Sequence, residues 1–187
     1  MPLLNSLVLR IIWGPREAWL AVRSADPGWQ RSLLGHAAPL AFIPALGWPL
    51  GDALDPAGPA AVASASSLAA AAITTFVLCL ATVVVVAGAI YALAPEFGAP
   101  RHWNRAVAVA AYSSTPVLLA VPLLASATLT ILFIASLFHA CLLCGLGLQR
   151  LVGCRGEDAA MYVAAVGFVA GIAGLVLGGL SSAVGIL

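Results

Sequence analysis

The chain has 187 residues, of which 63% are hydrophobic and only 8% charged, and its mean hydropathy is +1.08; a soluble domain carries about 25% charged residues and has no means of hiding so much apolar surface. The formal charge of +1, without a dense basic patch, excludes nucleic acid as a partner, because a phosphate-binding surface needs clustered cations. Cys79, Cys141 and Cys144 fall in apolar runs and only Cys154 in a loop, which excludes a secreted disulfide framework.

A spanning helix needs about 20 mainly apolar residues. This length therefore has room for five or six spans with short connections, all in one all-α membrane domain. The first run, 2–12, contains Asn5, Ser6 and Arg10 and no small-residue cleavage site, so it is read as retained rather than as a signal peptide. Leu3, Leu4, Leu7, Val8, Ile11 and Ile12 recur at helical spacing, the pattern of a short amphipathic helix lying on the membrane. Pro15 then starts a second short helix over 15–22. Trp13, Trp19 and Trp29 are expected at headgroup level. Residues 1–31 thus form a cytoplasmic or interfacial segment; a helical hairpin packed on the bundle is the alternative.

The first span is expected over 33–50, where Pro39, Pro44 and Pro49 each remove a helical hydrogen bond and should leave the segment kinked and covered by protein. Residues 52–66 are a Pro, Ala and Ser loop. The second span, 67–94, ends at Pro95. The third, 106–121, contains Tyr112, Ser113, Ser114, Thr115 and Pro116; the proline frees the Tyr112 carbonyl, and the hydroxyls are expected to buffer the kink. Pro122 and the Ala125-Ser126 turn lead to the fourth span, 128–148, and the fifth covers 159–180.

The eight basic residues are all Arg, which with the abundance of Ala and Gly fits a bacterial source. Arg10, Arg16, Arg23 and Arg31 precede the first span, Arg101 and Arg105 lie between the second and third, and Arg150 and Arg155 between the fourth and fifth. The other side has none. Basic residues stay in the cytoplasm during insertion, so this alternation selects five spans, a cytoplasmic N-terminus and an external C-terminus, in a bacterial inner membrane.

In order along the chain, Gly14-Pro15-Arg16-Glu17-Ala18-Trp19, Pro39-Leu40-Ala41-Phe42-Ile43-Pro44-Ala45-Leu46, Ala94-Pro95-Glu96-Phe97-Gly98, Ala111-Tyr112-Ser113-Ser114-Thr115-Pro116, Gly145-Leu146-Gly147-Leu148 and Tyr162 resemble the bacterial branch of the Yip-one domain family. The resemblance covers nearly the whole chain and implies a five-helix membrane protein with a cytoplasmic N-terminus. Eukaryotic members are associated with Rab-type GTPases and vesicle traffic. The fourth span departs from the family pattern: Phe138-His139-Ala140-Cys141 and Cys144 stand where tyrosines are usual, and Gln149 replaces a proline.

His139, Cys141 and Cys144 invite a metal or redox reading. On one helix, however, His139 lies roughly 160° from Cys141 and about 140° from Cys144, so the three do not aim at one ion. His139 is instead an intramembrane ionisable residue expected to face the bundle interior. Ser113 and Ser114 have no recognisable base, and no catalytic residue, cofactor or metal is expected. Gly167, Gly171, Gly174 and Gly178 form a small-residue stripe along the fifth span that permits close helix packing, against this chain or a second copy. The expected function is a non-enzymatic scaffold or partner-binding protein in the lipid bilayer, acting with other membrane proteins or as a homo-oligomer. A small-solute or ion transporter built on the proline-broken helices, Tyr112 to Pro116 and His139 included, is the alternative.

Overall fold

Apolar runs of this length must satisfy their backbone groups within each segment when water is absent, and helices do so. The computed structural model describes residues 2–54, 65–125 and 129–183, and the regular structure among them is all helical. Among the described residues, four helical stretches are long and apolar enough to cross a membrane: Ser66–Phe97, Trp103–Leu123, Thr130–Val152 and Ala159–Val176.

Helix α1 (Pro2–Trp13) turns at Gly14 into α2 (Pro15–Ala25), with Pro15 in the first turn as expected. Asp26 stops α2 in the left-handed conformation (φ 37°), its N–H bonded to the Val22 carbonyl. Ile11, Ala18, Trp19 and Val22 are buried in the core, so this hairpin packs onto the bundle. Trp13 and Trp29 lie at the surface, but Trp19, expected at headgroup level, is fully buried. The reason is helical phase: Trp19 shares the inward stripe of α2 with Ala18 and Val22, and the charged Arg16, Glu17 and Arg23 face out.

Next, α3 (Trp29–Ser32), a π turn (Leu33–Ala37) and α4 (Ala38–Leu54) run on as one helix. The helix runs on through Pro39, Pro44 and Pro49, with one irregularity, the π turn. The π turn ends at Ala37, two residues before Pro39, and takes in Gly35, whose carbonyl the proline ring would crowd in a regular helix. Ala37, Leu40, Ala41, Pro44 and Ala45 form the buried stripe, whereas Phe42, Ile43 and Leu46 are exposed. Of the loop expected over 52–66, residues 55–64 lie outside the described residues, while α4 reaches Leu54 and α5 (Ala65–Leu93) starts at Ala65.

Helix α5 tightens into a 3-10 turn (Ala94–Phe97), closed by Gly98 at φ 66°. Helix α6 (Trp103–Ser113) breaks at Ser114 and resumes as α7 (Thr115–Ala120), then a 3-10 turn (Val121–Ala125) extends it past the expected end at Val121. Ser126 of the expected turn is outside the described residues. Helix α8 (Thr130–Gly147) continues through a second π turn (Leu148–Val152) to Gly153, at φ 87°, and α9 (Ala159–Ala183) completes the fold. The most apolar window of the α6–α7 stretch is 67% buried, against 17–22% for the other three spans, which puts it at the centre. Its small residues Ala106, Ala108, Ala110 and Ala111 let neighbours approach closely.

Among the described residues, two glycines sit where an added Cβ would come within 3 Å of another helix. A Cβ on Gly147 would stand 2.8 Å from Trp19 Cζ2 and 3.1 Å from Val109 Cγ1, and one on Gly47 would stand 2.8 Å from Pro122 Cγ. The expected stripe behaves differently: a Cβ on Gly167, Gly171 or Gly174 would meet nothing within 4 Å. The surroundings of Gly178 lie outside the described residues.

Candidate functional site

The break between α6 and α7 is where the polar residues of the core gather. Pro116 has no N–H to give the Tyr112 carbonyl, and Thr115 Oγ1 donates to that oxygen at 2.8 Å. Ser113 Oγ donates to the Val109 carbonyl (2.6 Å) and Ser114 Oγ to that of Ala111 (2.9 Å). Hydroxyls bonded back along their own helix in this way bend it, which accounts for the break at Ser114. The expected buffering of the kink is therefore present for all three hydroxyls.

A residue that sequence reasoning passed over completes the cluster. His36, buried in the first π turn, places Nε2 2.9 Å from Thr115 Oγ1. Thr115 Oγ1 serves both contacts at once when it donates to Tyr112 and accepts from the ring, that is, in the tautomer with the His36 proton on Nε2. In that tautomer Nδ1 is a bare acceptor; it is buried and without a partner among the described residues. The Tyr112 ring lies 4.3 Å from the imidazole and 6.2 Å, edge on, from the Trp19 indole, whose Nε1 is also buried and unpartnered. The signal for His36 was available, since it is an ionisable residue inside an apolar stretch three residues before a proline. Nothing local ties it to Thr115, 79 positions away.

His139 does not join this cluster. It lies half-buried on α8, with Nε2 shielded and unpartnered, in a lateral groove of about 1080 Å³ between the α1–α2 corner, α8 and the start of α9. Cys144 is buried and Cys141 exposed, so the two face different surroundings. Among the described residues no three His, Cys, Asp or Glu side chains gather as a metal set. Burial raises the Cys154 thiol above its ordinary pKa, with a smaller contribution from Asp158, which favours the protonated, unreactive form.

The motifs noted in the sequence meet in space. Trp19 is wedged between Tyr112 and Gly147, while Phe97 stacks on Tyr162 with ring centroids 4.4 Å apart. The Tyr162 hydroxyl donates to the Ile90 carbonyl in the last turn of α5, one of the carbonyls that a helix end leaves open. No curated protein and no solved structure matches the chain. The sequence model of the Yip1 domain matches residues 9–178, which takes in these packed motifs from α2 to α9, and the chain therefore belongs to the Yip1 domain family of membrane proteins.

Proposed function

We propose that the chain is a five-span scaffold of a bacterial inner membrane, N-terminus in the cytoplasm, which binds other membrane proteins or a second copy of itself and carries out no catalysis. The span added in this reading to the four long apolar helices is the first, 33–50, within the continuous helix Trp29 to Leu54, where five residues on one face are buried and Ile43 and Leu46 are left for lipid. The observation that carries the reading is the state of the polar core. Its hydroxyls bond to their own backbone and to His36 instead of lining a channel. The contact-free faces of Gly167, Gly171 and Gly174 supply a surface on which a partner helix could approach closely. A transporter remains the second reading, favoured by the apposition of two irregular helices at the unpartnered His36 Nδ1.

The topology follows from the arginine distribution and is tested by single-cysteine labelling in intact cells. Sites placed in 95–105 and 149–158 should react only after permeabilisation, and sites in 52–66 and at the C-terminus should react at once. A C-terminus protected in intact cells would sink the five-span arrangement. For function, purification in mild detergent should recover a stoichiometric membrane partner or a second copy, and Gly171→Leu should release it. Solute or proton flux in reconstituted vesicles, abolished by His36→Ala, would instead establish transport.

A further inference from the structure

The aromatic pair Tyr91 and Trp103 marks a level in the bundle. Their exposed rings meet edge to face with centroids 5.9 Å apart, and the Arg101 guanidinium lies 5.8 Å from the centre of the Tyr91 ring. Aromatic rings and cations at the ends of spanning helices sit among lipid headgroups. Helix α2 ends near this level, since Val22, Arg23 and Asp26 line one small cavity with Asn104, Arg105 and Leu151. Traced back from there, α2 goes inward. Trp19 lies against Gly147, four residues before Leu151 on α8, and against Tyr112, nine residues past Trp103 on α6. Along those two helices the steps are about 6 Å and about 13 Å. Pro15 stands four residues, about 6 Å, further in the same direction. Trp13, Gly14 and Pro15 accordingly line the lateral groove together with Phe138 and Leu142, nine or more residues before Leu151 on α8. The corner between α1 and α2 therefore lies about 12–19 Å below the aromatic pair, deeper than the roughly 5–7 Å of a headgroup layer.

Its chemistry suits that depth. Trp13 is 84% exposed, and Leu9, one turn before it, and Leu20 also point outward. They continue the lipid-facing wall that Phe138 and Leu142 form on α8. Bare backbone groups would bar a helix break from hydrocarbon. Here the Gly14 N–H donates to the Arg10 carbonyl, the Ala18 N–H donates to the Gly14 carbonyl, and Pro15 has no N–H to satisfy. The charged residues nearest the corner, Arg10, Arg16 and Glu17, are all exposed. Arginine stems reach back to the headgroups, and Arg16 and Glu17 share the groove with Gln149 and Gly156 at its headgroup end, which gives their charges a polar route.

We propose that the α1–α2 corner is embedded in the bilayer: Trp13, Gly14 and Pro15 stand among the acyl chains of one leaflet, and those chains cover Leu9, Trp13 and Leu20. The leaflet is the one on the side of the arginine-bearing loops. Naming that side cytoplasmic rests on the topology proposed above; the immersion does not.

The test uses the full chain in nanodiscs of phosphatidylcholine, either ordinary or brominated at the middle of its acyl chains. Subtracting the fluorescence of Trp13→Phe, a mild change at an exposed position, from that of the unmodified chain isolates the Trp13 signal. That signal should lose most of its intensity in the brominated lipid and little to aqueous acrylamide. A tryptophan at the headgroup end of α2, Ser24→Trp in the Trp13→Phe background, should show the reverse. Quenching of Trp13 by acrylamide and not by bromine would overturn the proposal by putting the corner in water. Protection from both quenchers would overturn it by marking cover by a second copy of the chain. Equal bromine quenching at positions 13 and 24 would remove the depth gradient along α2 and overturn it as well. Nanodiscs expose both faces to acrylamide and carry bromine in both leaflets, so the outcome is independent of orientation and its failure is distinguishable from a failure of the labelling experiment.

Discussion

Replacing Gly147 by Ala should lower the melting temperature in detergent, and the same replacement at Gly171 should leave it unchanged or raise it. In a helix interior the change removes a glycine penalty of about 1 kcal/mol. At Gly171 nothing lies within 4 Å of the new methyl, so that gain has no opposing term. At Gly147 the methyl falls 2.8 Å and 2.9 Å from two atoms of the Trp19 ring, and a third contact, Val109 Cγ1, stands at 3.1 Å. The indole is fully buried against Tyr112 and has no free direction in which to move. Overpacking of this kind costs about 1–3 kcal/mol, so the net loss reaches up to about 2 kcal/mol, or a fall of up to roughly 8 °C for a chain of this size. Opposite signs at two glycines of one bundle distinguish helix contact from helix composition. A Gly147→Ala protein that melts at or above the unmodified chain would show that Trp19 is not wedged as described.

Thr115→Val should be the most damaging change in the polar core. It keeps the shape of the side chain while removing both the donor to the Tyr112 carbonyl and the acceptor for His36 Nε2–H. A buried group left unsatisfied in this way costs about 1–3 kcal/mol in soluble proteins. Hydrogen bonds between membrane helices average nearer 0.6 kcal/mol, which brings the expectation for the two losses together to about 2 kcal/mol. The mechanism makes a sharper demand through Pro116. Restoring a backbone N–H with Pro116→Ala offers the Tyr112 carbonyl a new donor, so Thr115→Val should be milder in that background. Chemical denaturation of the four proteins of this cycle measures the coupling. Strict additivity would mean that the hydroxyl does not stand in for the missing N–H.

Much of this arrangement was readable because the rules involved act over a few residues. Apolar length placed the spanning helices Ser66–Phe97, Thr130–Val152 and Ala159–Val176 close to their observed positions. The pairing of Pro116 with hydroxyls one turn before it foretold the kink and its repair, since both partners lie within four positions of one another. Where the reading stopped short, the deciding neighbour was distant. His36 meets Thr115 and Trp19 meets Gly147, contacts between segments that no short-range rule connects.

The sequence by itself determined the helical content, the approximate spans and the chemistry of the Tyr112 to Pro116 segment, because hydropathy and missing backbone donors are properties of the local chain. Tertiary structure alone decided which small residues matter. Gly167, Gly171 and Gly174 of α9 carry the stronger pattern, but a Cβ there would meet nothing within 4 Å among the described residues, while Gly147, with no periodic companion, receives a tryptophan from α2. It also decided that His36 belongs to the polar cluster and His139 to a lateral groove. Both are apolar-stretch histidines of the same kind in sequence; what separates them is the direction each helix face takes in the bundle, and that is set by packing between segments tens of residues apart.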